Sequence, residues 1–185
     1  MNSRGALPQV LFLFGLSGVG KTTLACHVAE RLHWLRVELD QAEVAVEWTP
    51  ECVAAFGRFA QYEEPDALVR QLRARAAWQG QAGVVLCFRS HDRILPATLH
   101  RLQAMDVATG VLRADIGPCI EAFLARELAR PRGLSLWHWI SHNTQAYTWW
   151  QDPAFDPWAL EVMDPDRRRK PVEALFDELL GHPPA

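Results

Sequence analysis

Gly15-Leu-Ser-Gly-Val-Gly-Lys21-Thr22 carries the most specific chemistry in the sequence, and it matches the pattern GxxxxGK[ST] throughout. Gly15, Gly18 and Gly20 let the backbone curl until several N–H groups aim at one point, which suits an anion. A helix opening near Lys21 adds unpaired first-turn amides and the positive end of its dipole. Lys21 offers an ammonium for the β- and γ-phosphates of a nucleoside triphosphate, and the Thr22 hydroxyl is placed to ligate Mg²⁺. Ser17, Val19 and Thr23 fall in or beside the same curl, so the whole stretch Gly15–Thr23 is the expected nucleotide-binding segment.

Such a loop works only between a strand and a helix. Gln9–Phe14 is a continuous apolar run of the kind buried on both faces of a parallel sheet. Lys21–Leu32 follows, with Leu24, Val28 and Leu32 on one helical face. Further strands are expected at Leu35–Leu39, Gly83–Phe88, Val107–Leu112 (weakened by Gly110) and Trp158–Met163. Helical period marks Glu51–Gln79, broken at Pro65, then Ile94–Met105, Ile116–Arg130 and Val172–Leu180. Strands alternating with helices predict a single α/β domain with a parallel sheet over residues 1–185.

The composition fits that class. With 49% hydrophobic and 22% charged residues among 185, the chain is long enough for one substantial core. A net charge of -3 argues against general nucleic-acid or anionic-membrane binding. No apolar run reaches the length of a membrane span, and Val10–Leu16 lacks the features of a signal peptide, so the chain reads as cytoplasmic. Cys26, Cys52, Cys87 and Cys119 are too scattered for a zinc site or a disulfide framework. The basic residues are 17 Arg and only two Lys, and one of those two, Lys21, stands where the glycine loop requires it.

Within phosphate-loop proteins, a GTPase would need NKxD and DxxG, and neither occurs. Motor and transport ATPases close an apolar strand on a carboxylate, whereas the third strand here ends Leu86-Cys87-Phe88-Arg89. In order and spacing the chain resembles the small-molecule and nucleoside-monophosphate kinases of the phosphate-loop group, such as shikimate kinase, gluconate kinase and chloramphenicol phosphotransferase. The resemblance implies a three-layer fold with a five-stranded sheet in the order 2-3-1-4-5. It also implies an acceptor-binding helical region at about 41–80 and a lid at about 130–145. The activity implied is ATP-dependent, Mg²⁺-requiring phosphoryl transfer to a small molecule, by a monomer or homodimer. The alternatives are a nucleotide-binding regulator without kinase chemistry and a kinase of nucleic-acid ends.

By that resemblance, Asp40 of Glu38-Leu39-Asp40 takes the acceptor proton as base, and Glu38 holds a Mg²⁺-bound water. Arg58 lies where an anionic acceptor is gripped. Arg89 would hold the transferred phosphoryl or an acidic acceptor, and Asp92 is the competing base. Arg126, Arg130 and Arg132 surround the break before the lid and would close on the phosphates as catalytic cations. In Asp164-Pro-Asp-Arg-Arg-Arg-Lys170, Arg167 or Arg168 would stack on adenine.

Eight Trp is a high count, and Trp137, Trp139, Trp149 and Trp150 fall close together. They suit packing beneath a lid or an aromatic acceptor pocket. His142, Asn143 and Tyr147 share a face of the same segment and are candidate acceptor contacts.

Overall fold

Five short apolar runs find their hydrogen-bond partners in one another, side by side and all parallel. The computed structural model describes residues 9–39, 48–90, 92–129 and 136–181. The strands are β1 (Val10–Gly15), β2 (Leu35–Glu38), β3 (Val84–Cys87), β4 (Val107–Arg113) and β5 (Ala159–Glu161), in the sheet order β2-β3-β1-β4-β5. β1 is central, pairing Leu13 with Cys87 on one side and with Gly110 on the other. Every β1 residue is buried, as a strand covered on both faces requires.

The helices between the strands are α1 (Lys21–Leu32), α2 (Pro50–Tyr62), α3 (Pro65–Trp78), α4 (Pro96–Ala104), α5 (Ile116–Ala129), α6 (Leu136–Trp150) and α7 (Val172–Gly181). α1 and α7 pack together over one sheet face, while α3, α4 and α6 cover the other. The two faces follow the strand period. Phe12 and Phe14 point to the second face, where Phe88 stacks on Phe14 with centroids 4.2 Å apart and meets Phe12 edge-on at 5.1 Å. Phe59 of α2 lies 5.4 Å from Phe88, and Trp150 of α6 lies 5.5 Å from Phe14. Such aromatic pairs each contribute about 0.5–1.5 kcal/mol beyond the area they bury.

Most expected elements lie within a residue or two of their predicted bounds. The long helical stretch divides at Glu63 and Glu64, with Pro65 opening α3 as a first-turn proline. Glu63 takes a left-handed backbone at φ +53° and its carboxylate accepts the Leu95 N–H at 3.0 Å and the Thr98 hydroxyl, tying α2 to the start of α4. Gly110 does not weaken β4, which runs unbroken for seven residues. Its missing side chain admits Leu179 of α7, whose Cδ1 would lie 3.0 Å from a Cβ there. Trp158, expected to open the last strand, instead closes a 3-10 helix at Pro153–Trp158, which two prolines and the Asp152 cap favour over extended backbone.

Arg113 fastens this region. It is 7% exposed at the end of β4, and its Nε donates to Trp150 O at 2.6 Å. One terminal nitrogen donates to Asp152 O at 2.8 Å and the other to Asp156 Oδ1 at 2.7 Å. The planar fork thus closes the end of α6 onto the sheet, which lysine could not do with one point charge. Arg113→Ala should cost about 3 kcal/mol, a melting drop of about 6–12 °C, because the buried Trp150 carbonyl and the partly buried Asp152 carbonyl lose their donor. Asp156 is 64% exposed, so Asp156→Ala should cost less than about 1 kcal/mol. Thermal unfolding of both variants checks the contrast, and equal losses would contradict it.

Candidate active site

The turn from β1 into α1 is glycine-rich because backbone presses on it from outside. Gly15 has φ +132°, and a Cβ there would lie 2.5 Å from Leu112 O. Gly18 has φ +87°, and a Cβ would meet Cys119 O of α5 at 2.3 Å. Side chains are therefore excluded twice, by conformation and by space. The loop curls at the carboxyl edge of the central strand, where open α/β sheets bind ligands.

Lys21 is 7% exposed. Its Nζ donates to Gly15 O and Leu16 O, both at 2.8 Å. A buried ammonium is tolerable only with such partners, and these set it inside the curl. Thr22 and Thr23 are exposed at the first turn of α1. From outside, Arg169 donates to Val19 O at 3.1 Å and Gly18 O at 3.2 Å. Holding the Val19 carbonyl outward turns the Gly20 N–H, across the same planar peptide, toward the interior of the loop.

Both helices beside the expected lid reach Ser17. Arg126 of α5 donates to its hydroxyl at 3.1 Å, and Asn143 of α6 accepts its backbone N–H at 3.1 Å. The Arg126 guanidinium also lies 5.7 Å from the Phe123 ring centroid. Arg126 is thus brought to the loop, while Arg130 and Arg132 lie outside the described residues, as does Asp40.

The acceptor candidates divide. Glu38 is buried at the end of β2 and accepts a guanidinium N–H of Arg36 at 2.8 Å on the same face of the strand. Arg89 and Asp92, expected to act separately, bond to each other. The Asp92 carboxylate accepts the Arg89 backbone N–H at 2.9 Å and a guanidinium N–H at 2.8 Å. The Arg89 guanidinium carbon lies 5.8 Å from the Phe56 ring centroid. Arg58 is exposed on α2, two helical positions beyond Phe56 and so turned well away from that ring.

The aromatic segment also divides. Trp139 and Trp150 are each 1% exposed and pack in the core, while Trp137 is 75% exposed. Asn143 reaches the phosphate loop, and Tyr147 lines a cavity. The side chains of His138 and His142 lie outside the described residues. That cavity, about 470 Å³, opens between α6 and the loop after β5, and includes Ala114, Asp115, Tyr147, Gln151, Pro165 and Arg167. Arg167 adopts φ +60° in a tight turn closed by its N–H on Asp164 O at 2.9 Å.

Arg169 and Cys119 were not predicted for this site. Arg169 stands in the right run, but only the turn and the Met163–Arg169 bridge decide which arginine meets the loop. Cys119 contributes backbone, which residue type does not encode. Its burial pushes the thiol up to about 11, against the pull of Arg169 and Lys21.

No protein-family model matches the sequence, and no curated protein matches it. Among solved structures, a gluconokinase from Sinorhizobium meliloti aligns over 95% of this chain and 91% of its own, at TM-score 0.50 and 15% identity. The shikimate kinase of Acinetobacter baumannii, in complex with shikimate, aligns over 95% and 92%, at TM-score 0.51 and 18% identity. That of Bacteroides thetaiotaomicron aligns over 93% and 98%, at TM-score 0.52 and 19% identity. The fold is that of the phosphate-loop kinases. The expected order 2-3-1-4-5 is the order observed, and both sheet faces carry helices. No helix among the described residues is long and apolar enough to cross a membrane.

Gly18→Ala should destabilise the phosphate-loop kinase fold by at least about 2 kcal/mol, through strain and a backbone clash. Gly57→Ala, in α2 with open space around it, should stabilise it by up to about 1 kcal/mol. Denaturant titration of the pair reads both signs, and a neutral Gly18→Ala would mean the loop is free to move away from α5. The Cys119 thiol makes a separate prediction. The fold keeps its proton above pH 9.0, where the unfolded chain releases it. Its stabilisation is therefore complete below about pH 9 and declines as pH rises through about 11. Cys119→Ala should flatten the alkaline fall in denaturation midpoint, and an unchanged slope would refute the assignment.

Proposed function

We propose that the chain is an ATP-dependent phosphotransferase acting on a small hydroxyl- or phosphate-bearing molecule. The observation that carries this is Lys21, a buried ammonium inside a glycine curl that opens onto the carboxyl edge of a kinase-type sheet. In this role the amides of Gly15–Thr23 cradle the β- and γ-phosphates, and Lys21 swings from two carbonyls to the oxygens that gain charge. Arg126, already at Ser17, supplies a second cation, with Arg132 as a third from the lid at about 130–145. The nucleoside occupies the cavity bearing Arg167, whose guanidinium stacks on the base.

Asp40 is the proposed base, receiving the acceptor proton during in-line transfer, and Asp92 is its rival. The pairing of Asp92 with Arg89 favours Asp40, because an acceptor hydroxyl would have to compete with the guanidinium for the Asp92 oxygens. The acceptor enters over the helical region at about 41–80, with Arg58 and Arg89 as its candidate cations.

The residues present fit Mg²⁺, which would neutralise charge between the β- and γ-phosphates. The Thr22 hydroxyl is exposed at the start of α1, and Glu38 lies at the end of β2, with β3 between it and β1. Among the described residues there is no cluster of three His, Cys, Asp or Glu that could hold a metal. That is consistent with an ion held largely by phosphate and water.

A regulator that binds nucleotide without transferring phosphate is the second possibility, favoured by Cys87, where a strand-end carboxylate would otherwise stand. ADP release measured across pools of sugars, hydroxy acids and nucleosides separates the two. The kinase should show acceptor-stimulated release, and tight nucleotide binding without stimulation by any pool would establish the regulator instead. Asp40→Asn should lower turnover about 100-fold or more while nucleotide affinity stays within about threefold. Equal losses would remove Asp40 from the role of base.

A further inference from the structure

Asn143 lies in the interior of α6, 3% exposed, and both ends of its amide are bonded. Its Oδ1 accepts the Ser17 N–H at 3.1 Å, across 126 positions of sequence. Its Nδ2 donates to Trp139 O, one turn back in the same helix, at 2.9 Å. These partners fix the amide's orientation, because the flipped form would set N–H against N–H and oxygen against oxygen.

The bond to Ser17 reaches further than Ser17. That N–H and the Leu16 carbonyl belong to one rigid, planar peptide. The same carbonyl accepts Lys21 Nζ at 2.8 Å and the Val19 N–H at 3.3 Å. Securing one end of the plane aims the other, and a bond accepted at the carbonyl is strengthened when the N–H is itself bonded. Asn143 to Ser17 N–H, then Leu16 C=O to Lys21 Nζ, is therefore a continuous hydrogen-bonded chain from α6 to the lysine.

We propose that Asn143 is a positioning residue for Lys21, holding the Leu16–Ser17 peptide in the orientation that stations the ammonium inside the loop. That Lys21 then acts on phosphate rests on the kinase function proposed above; the stationing itself does not. Asn143 comes from the helix that follows residues 130–135, and Arg126, on the helix that precedes them, reaches the Ser17 hydroxyl. Both helices therefore meet the phosphate loop at Ser17.

The two-lysine composition makes this directly measurable. Lys170 is paired with Glu178 at 2.8 Å and serves as an internal reference. Limited acylation of the full chain with an amine-selective ester, read by peptide mass spectrometry, gives the Lys21 to Lys170 labelling ratio. Asn143→Ala should raise that ratio about threefold or more, since the Leu16 carbonyl loses its anchor. Asn143→Ser, too short to reach Ser17, should match it and covers the case in which the alanine variant does not fold. Asn143→Asp keeps an acceptor for the Ser17 N–H while losing the donor to Trp139, so its ratio should stay within about twofold of the wild type.

A rise in the alanine or serine variant with none in the aspartate variant supports the proposal. Equal ratios in all of them, or a common rise in all of them, would overturn it, the latter by assigning the effect to a loosened helix. A second arm tests the underlying function separately. ATP should protect Lys21 of the wild type from acylation; absence of protection removes the nucleotide role, while the variant ratios still decide whether Asn143 stations the lysine.

Discussion

Between β1 and α1 the chain must turn through a space with no room for a side chain on its outer wall. Leu112 O closes that wall at Gly15, and Cys119 O closes it at Gly18. Much of the remaining architecture follows from this close approach. β4 must lie beside β1 to bring Leu112 there, and the pairing of Gly15 with Leu112 does so. α5 must begin directly after β4 so that its first turns press on Gly18. The loop's amides are then aimed from outside by packed backbone.

Buried charge is handled in two different ways. Arg113 spends three directed donors on carbonyl and carboxylate oxygens, and its role is to join α6 and the following 3-10 helix to the sheet. Lys21 rests on two carbonyls of the loop it serves, at the end of a flexible stem. A fork at position 21 would be locked by its own geometry, whereas a single ammonium on a flexible stem can turn its donors in several directions. Arg169 makes the complementary arrangement from outside, where a planar group can hold two carbonyls together. The same side-chain charge is thus carried by a rigid fork in two places and by a flexible stem in the third.

The strands, the phosphate loop and most helix bounds could be read from the sequence because each rests on a local rule. Apolar runs, first-turn prolines and the spacing of glycines act within a few residues. What could not be read depends on distant packing. Gly110 looks like a strand breaker until Leu179 is seen to fill its place. Trp158 is a good strand residue by type, yet the prolines before it impose a 3-10 turn. In the run Arg167–Arg169 the residue type is constant, so only the turn geometry separates a cavity wall from a clasp on the loop. Asn143 was visible as a polar residue on an aromatic helix, but its partner lies 126 positions away.

The end of β3 is where chemistry and packing pull hardest against each other. Arg89 faces Phe56 and holds Asp92 through its guanidinium, and its backbone N–H bonds the same carboxylate. Any anion arriving at Arg89 must compete with that carboxylate, which is 11% exposed and bonded from two directions. Competition of this kind favours an anion able to offer two oxygens in one plane, because a bidentate partner replaces both guanidinium contacts at once. The closed Arg89–Asp92 pair therefore yields least readily to a singly charged, monodentate anion.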